Sequence, residues 1–235
     1  KKIGTLNLLE LYKISPLGTV SSFCTGAIYS ALFAMFAVYA TRINFSLFEV
    51  SILLFLTTIA GAFFQGPVGF LSDKYNRRIV IILCNVISAV FCFVLILISG
   101  DKLFNLNALH MLFDINVFQN FNLMTYAGTS KLYFFFIITI YAGITLCIFS
   151  LNLAHTNDFV PRTKFVAAGG GLQFVFGLGA MGGPLFCSIV MDWLGPNGYF
   201  VYLVSFHIII ALFGSYRMAI RQVADNPDNT FTPLP

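Results

Sequence analysis

Apolar runs as long as a bilayer is thick are the feature that most limits what this chain can fold into. A transmembrane α-helix needs about 20 mostly apolar residues, and the chain has six such stretches, at residues 17–40, 47–71, 79–99, 132–153, 165–194 and 199–218. Only 9% of the residues are charged and 58% are apolar, so a surface that faces water cannot be built from them. The sequence therefore predicts an all-α membrane protein, a bundle of six transmembrane helices.

Short local patterns mark the ends of these spans. Ser15-Pro16 places a proline in the first turn of span one, and Ser46 with Glu49 has the spacing of a capping box at the start of span two. The segment 195–198, Gly-Pro-Asn-Gly, predicts a tight turn between spans five and six.

The basic residues are sorted between the two ends of the spans. Ten of them fall on the side of both termini, and three on the other: Lys1, Lys2, Lys13, Lys74, Arg77, Arg78, Arg162, Lys164, Arg217 and Arg221 against Arg42, Lys102 and Lys131. Because cytoplasmic loops are enriched in Lys and Arg, both termini are predicted to be cytoplasmic, including a tail at 222–235. The 100–131 connection is then an outer insertion, which we expect to form a partly ordered cap.

The most specific segment follows span two and reads GPVGFLSDKYNRR at residues 66–78. Gly69 would allow a neighbouring helix to approach closely. Asp73 could accept hydrogen bonds from the unpaired amides of a facing helix N-terminus. Lys74, Arg77 and Arg78 add cations that could hold Asp73 or lipid phosphates. Such a cluster would act as a breakable latch; the alternative is a basic loop that only sets the topology.

The ordered spacing G-x-x-x-D-K-x-x-R-R resembles the signature loop of the major facilitator superfamily, although Asn76 stands where that superfamily often has Gly. The segments 15–18, 157–158, 167–171, 176–184 and 194–198 are similar to the C-terminal half of its bacterial YcaD-like branch. The resemblance implies inverted three-plus-three helix repeats and the second bundle of a twelve-helix secondary transporter in the bacterial inner membrane. Its implied partners are a small-molecule substrate, the lipid bilayer and a missing N-terminal six-helix half, with no cofactor.

In such folds the substrate lies near mid-depth between the two bundles, so polar faces at that depth are candidates for the cavity wall. By the resemblance, spans one and four line the cavity, and spans two and five contribute from the flanks. The candidates are Ser21, Thr25, Tyr29, Tyr141, Thr145, Asn152, Gln65 and Gln173. For each, a hydrogen bond within the bundle is the alternative. Gly179, Gly183 and Pro184 are expected to serve helix packing or bending.

Other classes of function have weak support. A net charge of +4 without a basic stripe disfavours binding to nucleic acid. We expect no catalytic and no metal site, since the cysteines lack zinc-ligand spacing and His155 with Asp158 is too small a set. No carboxylate lies near the middle of a span, and His207 is the one imidazole at depth, so a relay there is a minor alternative. A half-size scaffold and a membrane-embedded lipid enzyme are the remaining alternatives.

Overall fold

The computed structural model describes residues 7–98 and 129–220 of the chain. Within them lie six helices, here called spans one to six, that are long and apolar enough to cross a membrane, and no strand. This confirms the predicted all-α six-helix bundle. The spans are Pro16–Arg42, Leu47–Lys74, Arg77–Ile98, Lys131–Asn157, Arg162–Leu194 and Gly198–Ile220. The expected outer cap at 100–131, except its last residues, and the tail at 222–235 lie outside the described residues, as do Lys1, Lys2, Lys102 and Arg221.

The helix ends follow the local signals in the sequence. The capping box of Ser46 and Glu49 is present at the start of span two, and Pro16 is the first residue of span one. Gly195 has a φ of 74° and its carbonyl accepts from the amide of Gly198 at 3.0 Å, which closes the turn between spans five and six. A short helix, α1 (Leu8–Ile14), precedes span one, and it begins with a capping box of its own, formed by Asn7 and Glu10.

Spans one and four are both interrupted near their middle. Span one consists of the helix Pro16–Ser30, a π-helical segment Ala31–Met35 and the helix Phe36–Arg42. The carbonyl of Leu32, within the π segment, accepts from the Tyr199 hydroxyl at 3.4 Å. Span four consists of the helices Thr129–Thr145 and Ile148–Asn157, and the carbonyl of Thr145 accepts from the Tyr29 hydroxyl at 3.1 Å. Interruptions of this kind free backbone carbonyls for side chains from other helices.

Two of the seams that pack closely through glycine join span one with span five and span two with span four. In the seam of spans one and five, a Cβ on Gly26 would lie 2.0 Å from the carbonyl oxygen of Phe176, and one on Gly179 would lie 1.9 Å from that of Phe23. A Cβ on Gly183 would lie 2.0 Å from the Ser30 hydroxyl. Span five continues past Pro184 as one helix, Phe165–Leu194. In the seam of spans two and four, Gly61 meets the side chain of Leu146 and Gly143 meets that of Phe64.

The described charges gather at the two ends of the bundle. We call the end where spans one, three and five begin the inner end, and the opposite one the outer end. Seven of the described Lys and Arg residues lie at the inner end and two at the outer end: Lys13, Lys74, Arg77, Arg78, Arg162, Lys164 and Arg217 against Arg42 and Lys131. The uneven distribution of basic residues along the sequence thus places most of the described cations at the inner end of the folded bundle.

Candidate functional site

An ion-pair network at the inner end joins spans two, three and four. Arg77, the first residue of the helix Arg77–Ile98, is bonded through Nη2 to Oδ1 of Asp73 at 2.9 Å. Its Nη1 donates to the carboxylate of Asp158 and, at 3.0 Å, to the carbonyl oxygen of Ala154. One guanidinium therefore holds together the end of span two, the start of span three and the end of span four.

The members of this network differ in exposure. The Asp73 side chain is 73% exposed, whereas those of Asp158 and Arg77 are 34% and 27% exposed. Burial raises the pKa of the Asp158 carboxyl above 3.8, and the guanidinium of Arg77 opposes that rise. The Asp158 carboxyl therefore loses its proton at a higher pH in the folded chain than in the unfolded chain. As the pH rises from the unfolded pKa to the folded pKa, this group lowers the free energy of unfolding.

The other residues of the predicted latch lie elsewhere. Arg78 is buried, and its guanidinium stacks on the ring of Phe159 at 5.4 Å, so of the two arginines only Arg77 pairs with Asp73. The Lys74 ammonium lies 5.8 Å from the ring of Tyr75. Nothing lies within 4 Å of the position of a Cβ on Gly69; the close helix contact expected there is not made by any described span.

Five of the eight cavity candidates lie inside the bundle. Each of these five side chains has no exposed surface: Ser21, Thr25, Tyr141, Thr145 and Asn152. Thr25 donates to the carbonyl of Ser21 at 2.6 Å and accepts from the amide of Asn152 at 3.3 Å. The hydroxyl groups of Thr145 and Ser88 lie 3.2 Å apart. In this structure four of these side chains bond within the bundle, the Ser21 side chain is enclosed without a bond of its own, and none of the five lines an open wall.

His207, Asn85 and Tyr141 form a hydrogen-bonded chain across spans six, three and four. The Asn85 amide nitrogen donates to the carbonyl of Ile81 at 2.8 Å, so its Oδ1 is an acceptor for His207 Nδ1 at 2.9 Å. His207 Nε2 lies 3.2 Å from the Tyr141 hydroxyl. Both nitrogens of the imidazole are therefore bonded, Nδ1 as a donor to Asn85. Sequence reasoning missed Asn85, although a single Asn in the middle of an apolar span was the available signal.

Three cavity candidates reach the surface of the bundle. Gln65 on span two and Gln173 on span five are exposed, and Tyr29 on span one is half-buried. The Tyr29 ring also packs edge-on against Phe176 of span five, with centroids 5.4 Å apart. Polar side chains on the outside of a membrane bundle are costly in lipid, so these positions are better suited to an aqueous path or to another protein surface.

Among the buried side-chain atoms without a hydrogen-bond partner, two belong to cavity candidates. They are the hydroxyl oxygen of Ser21 and Oδ1 of Asn152, both on residues without exposed surface. Buried polar atoms of this kind are usually bonded to protein or to ordered water. Among residues 7–98 and 129–220, no three His, Cys, Asp or Glu side chains are grouped as a metal site would require; His155 packs against the ring of Phe159 instead.

The chain is similar to a known protein family and to a known protein. The family model described as Major Facilitator Superfamily matches residues 18–232. The chain is 30% identical over 164 residues to the "Uncharacterized MFS-type transporter YfkF" of Bacillus subtilis (strain 168), an alignment that covers 70% of this chain and 34% of that protein. The chain thus spans about a third of the length of this relative. No solved structure is significantly similar to the chain.

Proposed function

The chain belongs to the Major Facilitator Superfamily, and from this we propose that it forms the C-terminal six-helix half of a secondary transporter for a small solute. The family consists of transporters rather than enzymes, and six spans fit a multi-pass membrane protein. The proposed mechanism is alternating access, in which two bundles rock about a central binding site. We further propose that the chain belongs to the bacterial YcaD-like branch of this family and that it lies in the inner membrane.

Two observations support the assignment to one half and its orientation. The similar B. subtilis protein is about three times as long as the aligned region, which leaves room for a second bundle. Seven described cations at the inner end against two at the outer end favour an inner end that faces the cytoplasm. We infer that the missing partner is an N-terminal bundle of six spans.

The observation that carries the proposal is the Arg77 network. Alternating access needs contacts at one end of the bundle that hold in one state and break in another. A partly exposed ion pair suits this role, because its strength is modest and water can replace it. Arg77 links three spans through side chains that are all solvent-accessible, and Asp73 keeps most of its surface available for a partner outside this bundle.

For contacts to the substrate we propose the polar side chains that reach the bundle surface: Gln65, Gln173 and Tyr29. The enclosed residues Thr25, Thr145 and Asn152 would then position these contacts and the interrupted helices. Tyr29 connects the two sets, because its hydroxyl donates to the carbonyl at the break in span four. A shift of either interrupted helix would therefore move this side chain.

The test is solute exchange by the full-length protein in proteoliposomes, assayed with a panel of labelled metabolites. We expect at least one solute to exchange faster than in empty liposomes. Arg77→Gln should slow this exchange about tenfold, which corresponds to about 1.4 kcal/mol, because one conformational state loses the contact that holds three spans. The matched control is Arg162→Gln, an exposed arginine at the same end.

Equal rates in Arg77→Gln and Arg162→Gln, with similar amounts of folded protein, would contradict the latch. Failure of every solute to exchange, together with a reading frame that begins close to Lys1, would instead favour the half-size scaffold.

A further inference from the structure

A small cleft opens at the inner end of the bundle, beside the Arg77 network. It is lined by residues 14–17, where α1 meets span one, and by Arg78, His155, Phe159 and Arg217. These residues come from spans one, three, four and six and from the segment after span four. The cleft therefore lies where four spans meet at the membrane edge.

The charges that line this cleft have one sign. Arg78 and Arg217 contribute guanidinium groups, and among the described residues no carboxylate lines the cleft. The nearest carboxylate along the chain, on Asp158, is bonded to Arg77, and the charge of Arg78 also acts on it and lowers its pKa against the rise that burial causes. Arg78 is only 5% exposed and stacks on the Phe159 ring, so packing holds its position. A fixed, desolvated guanidinium is well suited to bind an oxyanion.

The start of span one adds a second attraction for anions. Ser15 is the N-cap residue, but its side chain makes no capping hydrogen bond; its hydroxyl instead lies 3.1 Å from that of Thr156. The first amides of the helix Pro16–Ser30 are therefore not satisfied by that side chain. Residues 14–17 line the cleft, so the positive end of this helix faces it. Helix N-termini beside arginines are common binding places for phosphate groups.

The surroundings favour a lipid as the source of that phosphate. Helix α1 runs directly before span one and leaves Leu8, Leu9 and Tyr12 exposed, which fits a helix that lies in the membrane interface. Basic pockets between spans on the cytoplasmic side are typical binding places for anionic lipid headgroups. We propose that this cleft binds the phosphate of an anionic phospholipid, held by Arg78, Arg217 and the first turn of span one.

The test uses the full-length protein in a maltoside detergent that contains no phosphate. Its thermal unfolding midpoint is measured with added phosphatidylglycerol, with phosphatidylcholine, and with inorganic phosphate against chloride at equal ionic strength. The variant is Arg217→Gln, chosen because Arg217 is half-buried whereas Arg78 is buried. The matched control is Arg162→Gln, which removes the same charge at the same end but not from the cleft.

We expect phosphatidylglycerol to raise the midpoint more than phosphatidylcholine does. Arg217→Gln should lose most of this difference, and Arg162→Gln should keep it. A rise with inorganic phosphate that also depends on Arg217 would support the phosphate site with a soluble anion as its source. Equal shifts in both variants would show attraction by surface charge alone and overturn the proposal. So would equal effects of the two lipids combined with no effect of phosphate.

Discussion

Two seams in this bundle are closed by glycine in different ways. Between spans one and five, the missing side chains of Gly26 and Gly179 bring one helix against backbone carbonyls of the other, 2.0 and 1.9 Å from where a Cβ would sit. Between spans two and four, Gly61 and Gly143 receive the side chains of Leu146 and Phe64, each 2.6 Å from such a Cβ. A carbonyl can move only with its helix, whereas a side chain can change rotamer.

The more adaptable seam is also the one with ion pairs at both ends. Lys131 binds Glu49 at 2.7 Å at the outer end of spans two and four. At the inner end Arg77, the first residue of span three, bridges Asp73 of span two and Asp158, which follows span four. The seam of spans one and five has the pair of Arg42 and Asp192 at its outer end. Under the proposed inverted repeat, spans one and five correspond to spans four and two. The comparison suggests a rigid seam held by backbone packing and a softer seam held by charges.

The largest predicted effect is that of Gly179→Ala in the rigid seam. The new methyl group would overlap the carbonyl of Phe23, so span one or span five must shift, at a cost of about 3 kcal/mol. The free energy of unfolding of the full-length protein in detergent measures this loss. Gly177→Ala, on the same helix with nothing within 4 Å of the added Cβ, is the control and should be neutral or slightly stabilising, since alanine favours the helix.

A second substitution tests whether the Gly179→Ala methyl group clashes with the backbone of Phe23 or with its side chain. Phe23→Ala should not rescue Gly179→Ala, because the obstructing atom is the carbonyl oxygen. Full rescue would mean that the seam is closed by side chains after all and would remove the contrast between the two seams.

The next effect is that of Gly61→Ala in the softer seam. The added methyl group meets Cδ1 of Leu146, which is half-buried and can turn away, so the expected loss is about 1.5 kcal/mol. In a Leu146→Ala background most of this loss should disappear, because Cδ1, the nearest atom, is gone and only Cβ, at 3.1 Å, remains close. The same loss in both backgrounds, measured by unfolding, would place the clash in the backbone and make the two seams alike.

Much of this architecture could be predicted from sequence because it depends on local patterns. The lengths of the apolar runs give six spans, and Ser46, Glu49 and Gly195 mark helix ends through short-range hydrogen bonds. The polar face of Ser21 and Thr25 was also visible, but a helical face does not reveal whether a neighbouring span or a cavity covers it. The breaks at 31–35 and 146–147 depend on partners distant in sequence, such as Tyr199 and Tyr29.

The smallest predicted effect is a difference in coupling energy between the ion pairs of the two seams. The side chains of Arg42 and Asp192 are 40% and 64% exposed, so water and salt screen them, and a double-mutant cycle of Arg42→Gln with Asp192→Asn should give about 0.3 kcal/mol. The cycle of Arg77→Gln with Asp158→Asn should give about 1 kcal/mol, because that pair is less exposed. Arg77 is also held by the Ala154 carbonyl at 3.0 Å, a shorter bond than that of Arg42 to the Met191 carbonyl at 3.4 Å. Added salt should weaken the first coupling more than the second. Equal couplings with equal salt dependence would mean that the charges do not distinguish the two seams, and that only their glycine packing does.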